Sequence, residues 1–418
     1  MLSPAAQREF AVDVVRRLRG AGFEAVWAGG CVRDRLLGLA PKDYDVATNA
    51  TPEQVREVFG RRKTIPVGAA FGVIAVPGPK PAGTVEVATF RRDVSYSDGR
   101  RPDAVAFTTA EEDAQRRDFT INGLFYDPLD DRVLDYVGGQ EDLKRGIVRA
   151  IGEPRERFAE DKLRMLRAVR IAAAFDFALD PATIAAIEQM ASEILVVSAE
   201  RIAAELRRML TDPRRERAVS LLAESRLLAV LLPEAGNAAN SDSAVAARAI
   251  RLVAAVDDPS FPLALAALLF ALGVNVHVVD IGRRWRLSND EVERTQYLVA
   301  QATTLDAVAA LPWPKVQRML IHPYAPELVA LHAARAGTGE GNAAAVAFCR
   351  ERLAWPAETL NPPPLLTGDD LKRHGIRPGP KFKTLLEEVR DAQLEGRIGT
   401  KEEAIRLAEQ IESRTAPN

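Results

Sequence analysis

The sequence predicts an α/β domain with a mixed sheet, followed by a long all-α region. Up to about residue 150, short β-branched runs alternate with Gly and Pro, which are turn signals. Beyond that point, stretches rich in Ala, Leu, Arg and Glu follow one another, separated by Pro and Gly breaks. The chain therefore divides into a sheet-containing part and a helical part.

The elements of the first part follow from its local patterns. Helical patterns cover Pro4–Arg19 and Pro52–Phe59, and the other runs have the β-branched content and turn boundaries that are typical of strands. Two of these runs also alternate with the period of a strand. The predicted strands are Glu24–Gly30, Phe71–Val76, Thr84–Phe90 and Arg132–Val137.

The composition is that of a globular protein with more than one core. Of 418 residues, 47% are hydrophobic and 27% are charged, the formal net charge is -2 and the pI is near 6.2. A near-neutral total neither establishes nor excludes a nucleic-acid partner. The two cysteines, Cys31 and Cys349, are far apart, so no disulfide framework or zinc site is expected and a reducing cytosol fits best.

The most membrane-like stretch, Phe261–Val279, carries no charge, but its uninterrupted apolar run covers only Leu263–Leu272. Such a run is too short to span a bilayer and is typical of a buried helix. The N-terminus has an amphipathic helical pattern without the apolar core of a signal peptide. We therefore expect a cytoplasmic protein without a membrane partner.

Two glycines, Gly29 and Gly30, follow the first predicted strand and precede an apolar helix start. Glycines at such a point let the backbone approach a phosphate closely, and the N–H groups of a helix N-terminus are free to donate to it. Arg33 adds a charged donor for a phosphate oxygen. Taken alone, this pattern is more often an ordinary turn.

Three carboxylates form a candidate catalytic site. Asp43 and Asp45 alternate along a predicted strand, which places both side chains on one face. Like charges this close are costly without a cation between them, and Mg²⁺ is the natural choice. Glu86 lies between two valines of another predicted strand and is a candidate third carboxylate for two-metal phosphoryl transfer. The alternatives are a polar turn for the Asp pair and a solvent-facing strand residue for Glu86.

A second cluster, Arg116 to Asn122, contains groups that suit a nucleotide. Arg116 and Arg117 suit triphosphate oxygens, whereas Asp118 and Asn122 suit ribose hydroxyls. The alternative is the exposed start of a helix.

A third cluster, Glu160 to Arg170, is predicted to open a helix. Asp161 and Arg164 are three residues apart and lie near one helix face, where an acceptor and a fork of donors suit the edge of a base. Arg167 and Arg170 continue at steps of three and are spaced to reach successive groups of a triphosphate. A salt-bridged surface helix is the alternative.

These motifs, in this order, resemble the class II tRNA nucleotidyltransferase and bacterial poly(A) polymerase family. The resemblance covers residues 25 to 175 almost without a gap, and it includes the stretch Ser198–Pro213. It fades beyond about residue 235 and returns weakly at Leu365–Ile398. The matching segments before residue 175 read GGCVRDRLLGLAPKDYDVAT, VGAAFGVIAV, VEVATFRRDVSYSDGRRP, RRDFTINGLFYDP, DYVGGQEDL and RFAEDKLRMLRAVRIAA.

The resemblance implies an α/β head with a polymerase-β-like nucleotidyltransferase sheet, followed by all-α neck, body and tail domains. With the Pro and Gly breaks, it predicts a catalytic head at 1–150, a neck with a nucleotide-recognition helix at 151–215, a body at 216–360 and a tRNA-contacting tail at 361–418. Residues 235–360 match no motif, and their Ala-rich helices are compatible with a core or a dimer interface. We expect a monomer rather than a homodimer.

The resemblance also implies roles for individual residues. Asp43 and Asp45 match metal-binding carboxylates, and Asp161 and Arg164 match the pair that recognises the base of CTP or ATP in place of a template. Arg91–Pro102 matches a flexible loop involved in the switch from C to A addition, and its segment SDGRRP argues against an enzyme that adds only CC. The matching nucleotide contacts are Gly30, Arg33, Arg117, Asp118, Arg167 and Arg170.

The implied activity is Mg²⁺-dependent, template-independent addition of nucleotides from CTP and ATP to the 3′ end of tRNA. Addition of CCA and addition of only the terminal A both stay open. Poly(A) synthesis ranks third, because Glu402–Asn418 does not resemble the basic C-terminal extension of such polymerases. A catalytically silent RNA-binding protein is disfavoured by the intact motifs, and a small-molecule nucleotidyltransferase by the long helical region.

Two basic stretches, Arg201–Arg217 and Lys372–Lys383, are candidates for contact with tRNA phosphates. Aromatic residues make up only 6% of the chain, which favours recognition of the shape and backbone of a folded RNA over base stacking. A solvated surface is the alternative for either stretch.

Overall fold

The computed structural model of the protein describes residues 3–68, 71–93, 105–240, 244–376 and 380–415. These residues form two compact units. The first comprises the chain up to Ile250 together with Asp280–Leu287, and the second comprises Arg251–Val279 and the chain from Ser288 onwards. The boundaries expected near residues 150, 215 and 360 concern a finer division and stay predictions.

A mixed β-sheet organises the first unit. Its strands are β1 (Ala25–Ala28), β2 (Asp45–Thr48), β3 (Ile65–Gly68), β4 (Val73–Pro77), β5 (Thr84–Thr89), β6 (Arg91–Asp93), β7 (Val105–Phe107), β8 (Phe125–Asp127), β9 (Arg132–Leu134), β10 (Ile147–Val148) and β11 (Ala178–Leu179). Seven strands form one sheet in the order β3-β4-β5-β2-β1-β8-β9, and the pairs β6–β7 and β10–β11 stand apart from it. Since β2 runs parallel to β5 while β1 runs antiparallel to β2 and β8, the predicted mixed sheet is confirmed.

The β2–β5 pair brings two predicted carboxylates side by side. In its parallel register, Asp45 lies opposite Glu86 and Thr48 lies opposite Thr89. Within β5, Val85 and Val87 are buried while Glu86 is exposed, as the alternation of the sequence predicts. The hydrophobic period of β5 therefore fixes which face Glu86 presents.

Helices account for most of the remaining described chain, and side-chain caps set several of their ends. Ser3 caps α1, and Thr51 with Gln54 forms a capping box at α3. The helices are α1 (Pro4–Gly20), α2 (Gly30–Leu36), α3 (Pro52–Phe59), α4 (Ala110–Gln115), α5 (Gly139–Arg145), α6 (Pro154–Glu160), α7 (Leu163–Phe175), α8 (Pro181–Met190), α9 (Ala199–Leu210), α10 (Arg215–Glu224), α11 (Leu227–Leu231), α12 (Ala244–Ala255), α13 (Phe261–Leu272), α14 (Val278–Arg284), α15 (Asn289–Ala300), α16 (Trp313–Leu320), α17 (Ala325–Gly337), α18 (Ala343–Leu353), α19 (Ala357–Leu360), α20 (Gly368–Arg373), α21 (Pro380–Leu394) and α22 (Lys401–Thr415).

An aromatic contact anchors the segment that carries the Asp pair. Trp27 of β1 is fully buried, and its ring lies 4.8 Å from that of Tyr44 and 5.4 Å from that of Tyr126, measured between centroids. Because Tyr44 stands between Asp43 and Asp45, this packing ties both aspartates to the sheet.

The apolar run of the second unit is a buried helix, as predicted. It forms α13, in which Phe270 is partly exposed and every other residue is buried. In the described part of the chain, no helix combines the length and the apolar character that crossing a membrane requires.

The predicted elements recur with shifted ends. The strand expected at Glu24–Gly30 is shortened to β1, and the one expected at Arg132–Val137 is shortened to β9. The loop predicted at Arg91–Pro102 includes residues 94–102, which lie outside the described residues. The basic stretch Lys372–Lys383 likewise includes residues 377–379, which lie outside them.

Candidate active site

One pocket of about 440 Å³ in the first unit gathers motifs that are far apart along the chain. Every predicted site residue lines it except Asp43 and Glu86. Seven arginines and three aspartates share the lining, and the arginine side chains stay 11% to 35% exposed. The lining residues are Gly29, Gly30, Arg33, Asp45, Arg116, Arg117, Asp118, Asn122, Asp161, Leu163, Arg164, Arg167, Arg170, Ile171 and Arg201.

Gly29 makes the turn from β1 into α2. Its φ of 75° and ψ of -130° form a backbone conformation that residues with a Cβ rarely adopt. A Cβ at this position would lie 2.9 Å from Nη1 of Arg117. The absent side chain therefore allows a guanidinium to approach the turn, next to Gly30 in the pocket lining.

Arg33 of α2 is held by contacts on several sides. Its Nε and Nη2 donate to Oδ1 of Asp34 at 2.9 and 2.6 Å, and its Nη1 donates to Oδ1 of Asn122 at 2.7 Å. The guanidinium also lies over the ring of Phe175, 4.4 Å from the centroid. These contacts fix a positive charge in the pocket lining.

The predicted carboxylates lie at one edge of this pocket. Asp45 begins β2, Glu86 is its neighbour in β5, and Asp43 lies in the bend before β2. Burial is the largest cause that raises the pKa of Asp45 to about 6; Glu86 raises it further, Arg117 lowers it, and Asp43 raises it. The three carboxylates are thus close enough to repel one another, and a bound cation would relieve that repulsion.

The donor set suits a magnesium ion that is carried in with a phosphate ligand. In the described ranges, no group of three or more His, Cys, Asp or Glu side chains could hold a metal ion. Mg²⁺, however, is commonly bound by one or two carboxylates together with substrate phosphates. Asp43 and Asp45 offer such a pair of hard oxygen donors, and the mutual repulsion at Asp45 favours a cation there.

Arg116 and Arg117 follow the end of α4 and share one buried partner, Asp113. Nε and Nη2 of Arg116 donate to its Oδ1 at 2.9 and 2.7 Å, and Nε and Nη2 of Arg117 donate to its Oδ2 at 3.2 and 3.0 Å. The Arg117 guanidinium also lies over the ring of Phe125, 4.9 Å from the centroid. Two arginines of the pocket lining are thereby oriented by one carboxylate.

Asp118 is a buried acceptor at the pocket. Its Oδ2 accepts from Nε and Nη2 of Arg167 at 2.9 and 2.6 Å, and its Oδ1 accepts from Nδ2 of Asn122 at 3.0 Å. Burial raises the pKa of Asp118, but the charge of Arg167 and these hydrogen bonds outweigh burial and hold the pKa well below its usual range. The Asp118 carboxylate is therefore ionised.

Asp161 and Arg164 both line the pocket but bind different partners. Asp161 Oδ1 accepts from the backbone N–H of Leu163 at 3.1 Å, and its Oδ2 accepts from Nη2 of Arg201 at 2.7 Å. Arg164 pairs instead with Glu160. Their polar groups are thus held at the pocket wall by partners within the protein.

Arg170 lies one turn beyond Arg167 on α7. Its Nε donates to Oε2 of Glu205 in α9 at 2.5 Å. Burial is the largest cause that lowers the pKa of Arg170, against the opposing charge of Glu205. The two arginines are therefore anchored to different segments while lining the same pocket.

The local structure at the motifs differs from the sequence expectation at two points and excludes one alternative. Asp43 is not on the strand, because β2 begins at Asp45. The alternative given for Arg116 and Arg117, the exposed start of a helix, does not hold, since they follow α4, which ends at Gln115. Asp161 does not lie within a helix: its extended backbone, with φ of -146° and ψ of 105°, separates α6 from α7. Its side chain bonds the backbone N–H of Leu163, a local bond that competes with helix continuation.

The sequence motifs missed two charged residues of this region. Arg201 lines the pocket, although the sequence placed it in a stretch expected to face RNA. Its partner Asp161 is 40 positions away in sequence, so no local pattern links them. Asp113 was assigned no role, although its spacing of three and four residues from Arg116 and Arg117 is a local signal for both ion pairs.

Comparison with protein families places this pocket in a known kind of domain. Residues 25–149 match the family described as the poly A polymerase head domain. Residues 176–238 match the family described as the probable RNA and SrmB-binding site of polymerase A. The sheet and most of the pocket lining therefore belong to a nucleotidyltransferase head.

Individual relatives extend the likeness along the chain. A CCA-adding enzyme from Limosilactobacillus fermentum is 32% identical over 399 residues, which is 94% of this chain and 94% of that enzyme. Poly(A) polymerase I from Escherichia coli is 42% identical over 240 residues, which is 54% of this chain and 50% of that enzyme. The crystal structure of a Bacillus stearothermophilus CCA-adding enzyme in complex with CTP is 31% identical, with a TM-score of 0.78 over 99% of both chains.

The fold and the pocket thus define a nucleotidyltransferase. The chain belongs to the family of CCA-adding enzymes and bacterial poly(A) polymerases.

Proposed function

We propose that this protein is a tRNA nucleotidyltransferase, which adds nucleotides from CTP and ATP to the 3′ end of tRNA without a nucleic-acid template. The observation that carries the proposal is one pocket in which seven arginines meet a carboxylate edge formed by Asp45, Glu86 and Asp43. Guanidinium groups suit the oxygens of a triphosphate, and paired carboxylates suit a phosphate-bound divalent cation. Another pocket of the first unit, lined by residues between Pro4 and Tyr44, has two arginines and no carboxylate in its lining.

The arginines provide the electrostatic part of the reaction. Arg33, Arg116 and Arg117 lie near Gly29 and the carboxylate edge, where they suit the triphosphate. Asp118 and Asn122 suit ribose hydroxyls, and Arg167 and Arg170 add charge along α7. Because most of these side chains are already fixed by partners inside the protein, little reorganisation accompanies nucleotide binding.

Base recognition falls to Asp161 and Arg164. An ionised carboxylate offers acceptors and a guanidinium offers donors, so together they complement the polar edges of cytosine and adenine. Both groups lie in the pocket lining, with Arg201 holding the carboxylate from the other side. Side chains of the protein thus take the place of a template strand.

Asp43 and Asp45 would hold Mg²⁺, with Glu86 beside them. When bound, this ion would supply activation of the RNA 3′-hydroxyl and compensation of the charge on the α-phosphate. The protein side chains contribute position: Tyr44 packs on Trp27 and thereby ties the Asp43–Asp45 segment to the sheet.

The transfer is an in-line displacement at phosphorus. The RNA 3′ oxygen forms a bond to the α-phosphorus while the bond from that phosphorus to the oxygen bridging to the β-phosphate breaks. Pyrophosphate leaves with the electron pair, and the hydroxyl proton passes to solvent. The pocket arginines stabilise the charge that develops on the leaving pyrophosphate.

The relatives favour tRNA as the substrate. The CCA-adding enzyme from Limosilactobacillus fermentum aligns with 94% of this chain, whereas poly(A) polymerase I aligns with 54%. The helical residues 176–238, which match a probable RNA-binding segment, are the natural partner surface for the RNA. Addition of only the terminal A to tRNA ending in CC is the second candidate, because it needs the same pocket. We place the protein in the cytoplasm, where its substrates are found.

An incorporation assay tests the proposal. The purified chain is given Mg²⁺ with ATP, CTP or both, and tRNA transcripts that lack CCA, end in CC or end in CCA, with an unrelated RNA as control. Growth by three nucleotides on the shortest transcript supports CCA addition, and growth only on the CC end supports A addition. Long tails on the unrelated RNA would indicate poly(A) synthesis, and no incorporation on any RNA would overturn the proposal.

A further inference from the structure

The buried carboxylate of Asp113 lies behind the pocket rather than in its lining. The residue is 1% exposed. It accepts five hydrogen bonds: two from Arg116, two from Arg117 and one from the backbone N–H of Arg91 at 3.2 Å. Both arginines contribute to the pocket, so Asp113 contacts two of its cationic groups without reaching the pocket itself.

Two separate segments meet at Asp113. It belongs to α4, which Arg116 and Arg117 follow directly, and Arg91 begins the β6–β7 ribbon. Nε of Arg116 also donates to the backbone oxygen of Arg91 at 2.9 Å, so both the N–H and the carbonyl group of Arg91 are hydrogen-bonded here. The ribbon and the two pocket arginines are therefore ordered by the same carboxylate.

Arg117 is restricted on its other sides as well. Its guanidinium lies over the Phe125 ring, and its Nη1 is only 2.9 Å from where a Cβ of Gly29 would be. Little free space is left for another rotamer near that turn. Nη1 of Arg117 also donates to the backbone oxygen of Asn122 at 3.5 Å. The direction in which Arg117 presents its N–H groups depends mainly on Asp113, which accepts two shorter hydrogen bonds, at 3.2 and 3.0 Å.

The charge of this carboxylate is maintained by its partners. Burial raises the pKa of Asp113, but Arg117 and Arg116 lower it by more, so the net shift is downward. A buried carboxylate with two guanidinium partners is satisfied in all the directions that it can accept. Replacing it by an amide leaves donors facing donors.

We propose that Asp113 is a positioning residue of nucleotidyl transfer, which holds the guanidinium groups of Arg116 and Arg117 in the orientation that receives the nucleotide phosphates. This inference rests on the proposed function, because it assigns Arg116 and Arg117 to the triphosphate. Asp113 acts through these arginines and contacts no substrate.

The central test compares two variants that separate charge from position. Asp113→Asn removes the charge, and Asp113→Glu keeps it but moves it by one methylene. If position governs the arginines, both variants lower kcat/KM for ATP about tenfold or more, since hydrogen bonds between charged groups are individually worth that much. A role of charge alone would leave Asp113→Glu close to the wild type.

Asp142 provides a matched control. It is also a buried aspartate of the first unit, 5% exposed, and it binds Arg149, an arginine outside the pocket lining. Asp142→Asn should lower the melting temperature to a similar extent as Asp113→Asn while leaving kcat/KM for ATP unchanged. Equal losses of kcat/KM in both variants would mean that Asp113 is merely structural.

A double-mutant cycle tests whether Asp113 acts through its arginines. In an Arg117→Gln background, Asp113→Asn should lower kcat/KM for ATP by a smaller factor than in the wild type, because only Arg116 is left for the carboxylate to position. Fully additive losses would overturn the inference, as would wild-type kcat/KM in both Asp113 variants. The Kd for tRNA in the absence of nucleotide should stay at the wild-type value throughout.

The wild-type reaction keeps this test distinct from that of the proposed function. If the wild type incorporates no nucleotide, the proposed function fails and the variants are not needed. If the wild type is active and the Asp113 variants equal it, only the positioning role fails. If Asp113→Asn does not fold, Asp113→Glu decides the outcome.

Discussion

Two clusters of buried charge, one in each unit, use the same residue types in opposite ways. In the first unit, Asp118 binds Arg167, which lines an open pocket. In the second unit, Asp306 binds Arg335 and His332, and none of these three residues lines the pocket that Leu366, Phe382 and Gln393 help to form.

The cluster of the second unit is enclosed by protein groups. Arg335 is 5% exposed; its Nη1 donates to Oδ2 of Asp306 at 2.8 Å and to the backbone oxygen of Ala302 at 2.7 Å. Its Nη2 donates to the backbone oxygen of Glu340 at 2.7 Å. Both terminal nitrogens are thus occupied by groups of the protein, whereas Nε has no hydrogen-bond partner among the described residues. His332, 1% exposed, packs beside the guanidinium.

The difference teaches what distinguishes a binding site from a structural ion cluster. Around the pocket, the seven arginines also have carboxylate partners, but their side chains stay 11% to 35% exposed at an opening, where N–H groups can reach an anionic ligand. In the second unit, the Arg335 side chain is only 6% exposed and is enclosed by carboxylate and carbonyl oxygens. Charged side chains therefore indicate function where they stay accessible at an opening, and stability where protein groups enclose them.

The largest effect on nucleotide addition is expected when the carboxylate at the start of β2 is removed. Asp45→Ala is expected to lower nucleotide addition by about a thousandfold or more, because the proposed metal loses a ligand. Its melting temperature without metal should not fall, since burial and Glu86 already disfavour the charged form of Asp45. Incorporation assays and thermal melts in EDTA check both parts, and retained activity would refute the catalytic assignment.

Asp306→Asn is the counterpart in the second unit. It should destabilise the fold by about 3 kcal/mol, because a buried guanidinium is left without its carboxylate. Nucleotide incorporation at a temperature where the variant is folded should equal that of the wild type. Urea titration measures the first effect. If the variant were as stable as the wild type, the cluster would not have the structural role inferred for it.

A substitution at Gly29 tests whether the absence of a single Cβ is what lets Arg117 approach the turn. Gly29→Ala introduces backbone strain of about 1–2 kcal/mol and pushes against Arg117, so kcat/KM for ATP should fall about tenfold. Gly236→Ala is the control, because Gly236 has a similar backbone conformation, with φ of 52° and ψ of -130°, and nothing within 4 Å of its Cβ position. It should show the strain in thermal melts without the kinetic loss; equal kinetics in both variants would contradict the contact with Arg117.

The smallest effect is a pH dependence of the second unit. Burial is the largest cause that lowers the pKa of His332, so the native state binds its proton less readily than the unfolded chain does. Stability is therefore fully present above the unfolded pKa of about 6.5 and declines as the pH falls from there towards the lower folded pKa, by at most about 1.4 kcal/mol per unit. Denaturation at pH 7.5, 6.5 and 5.5 measures the slope, which His332→Gln should reduce.

The sequence predicted the strands and helices well wherever the pattern is local. The alternation in Thr84–Thr89 placed Glu86 on the exposed face, and the apolar run at Leu263–Leu272 predicted a buried helix. The grouping of Gly29, Arg117 and Asp161 in one pocket was expected only because the motifs, in order, resemble a family. No periodicity brings those segments together.

The features that the sequence did not predict depend on contacts between distant segments. Asp43 was expected on a strand, yet β2 begins at Asp45, where its pairing with β5 begins. Asp113 also binds the backbone N–H of Arg91, which comes from another segment and which no local pattern indicated. Its ion pairs with Arg116 and Arg117, by contrast, have spacings of three and four residues, a local signal that the motifs did not use.

The parallel register of β2 and β5 has a consequence for insertions and deletions. Asp45 meets Glu86 through strand pairing and not through a short covalent connection, so the loops between the two strands can change in length without separating them. A shift of one residue within β5 would instead set Val85 or Val87 beside Asp45. The pairing of the two carboxylates therefore depends on the register of β5 against β2, and natural insertions and deletions should concentrate outside these two strands.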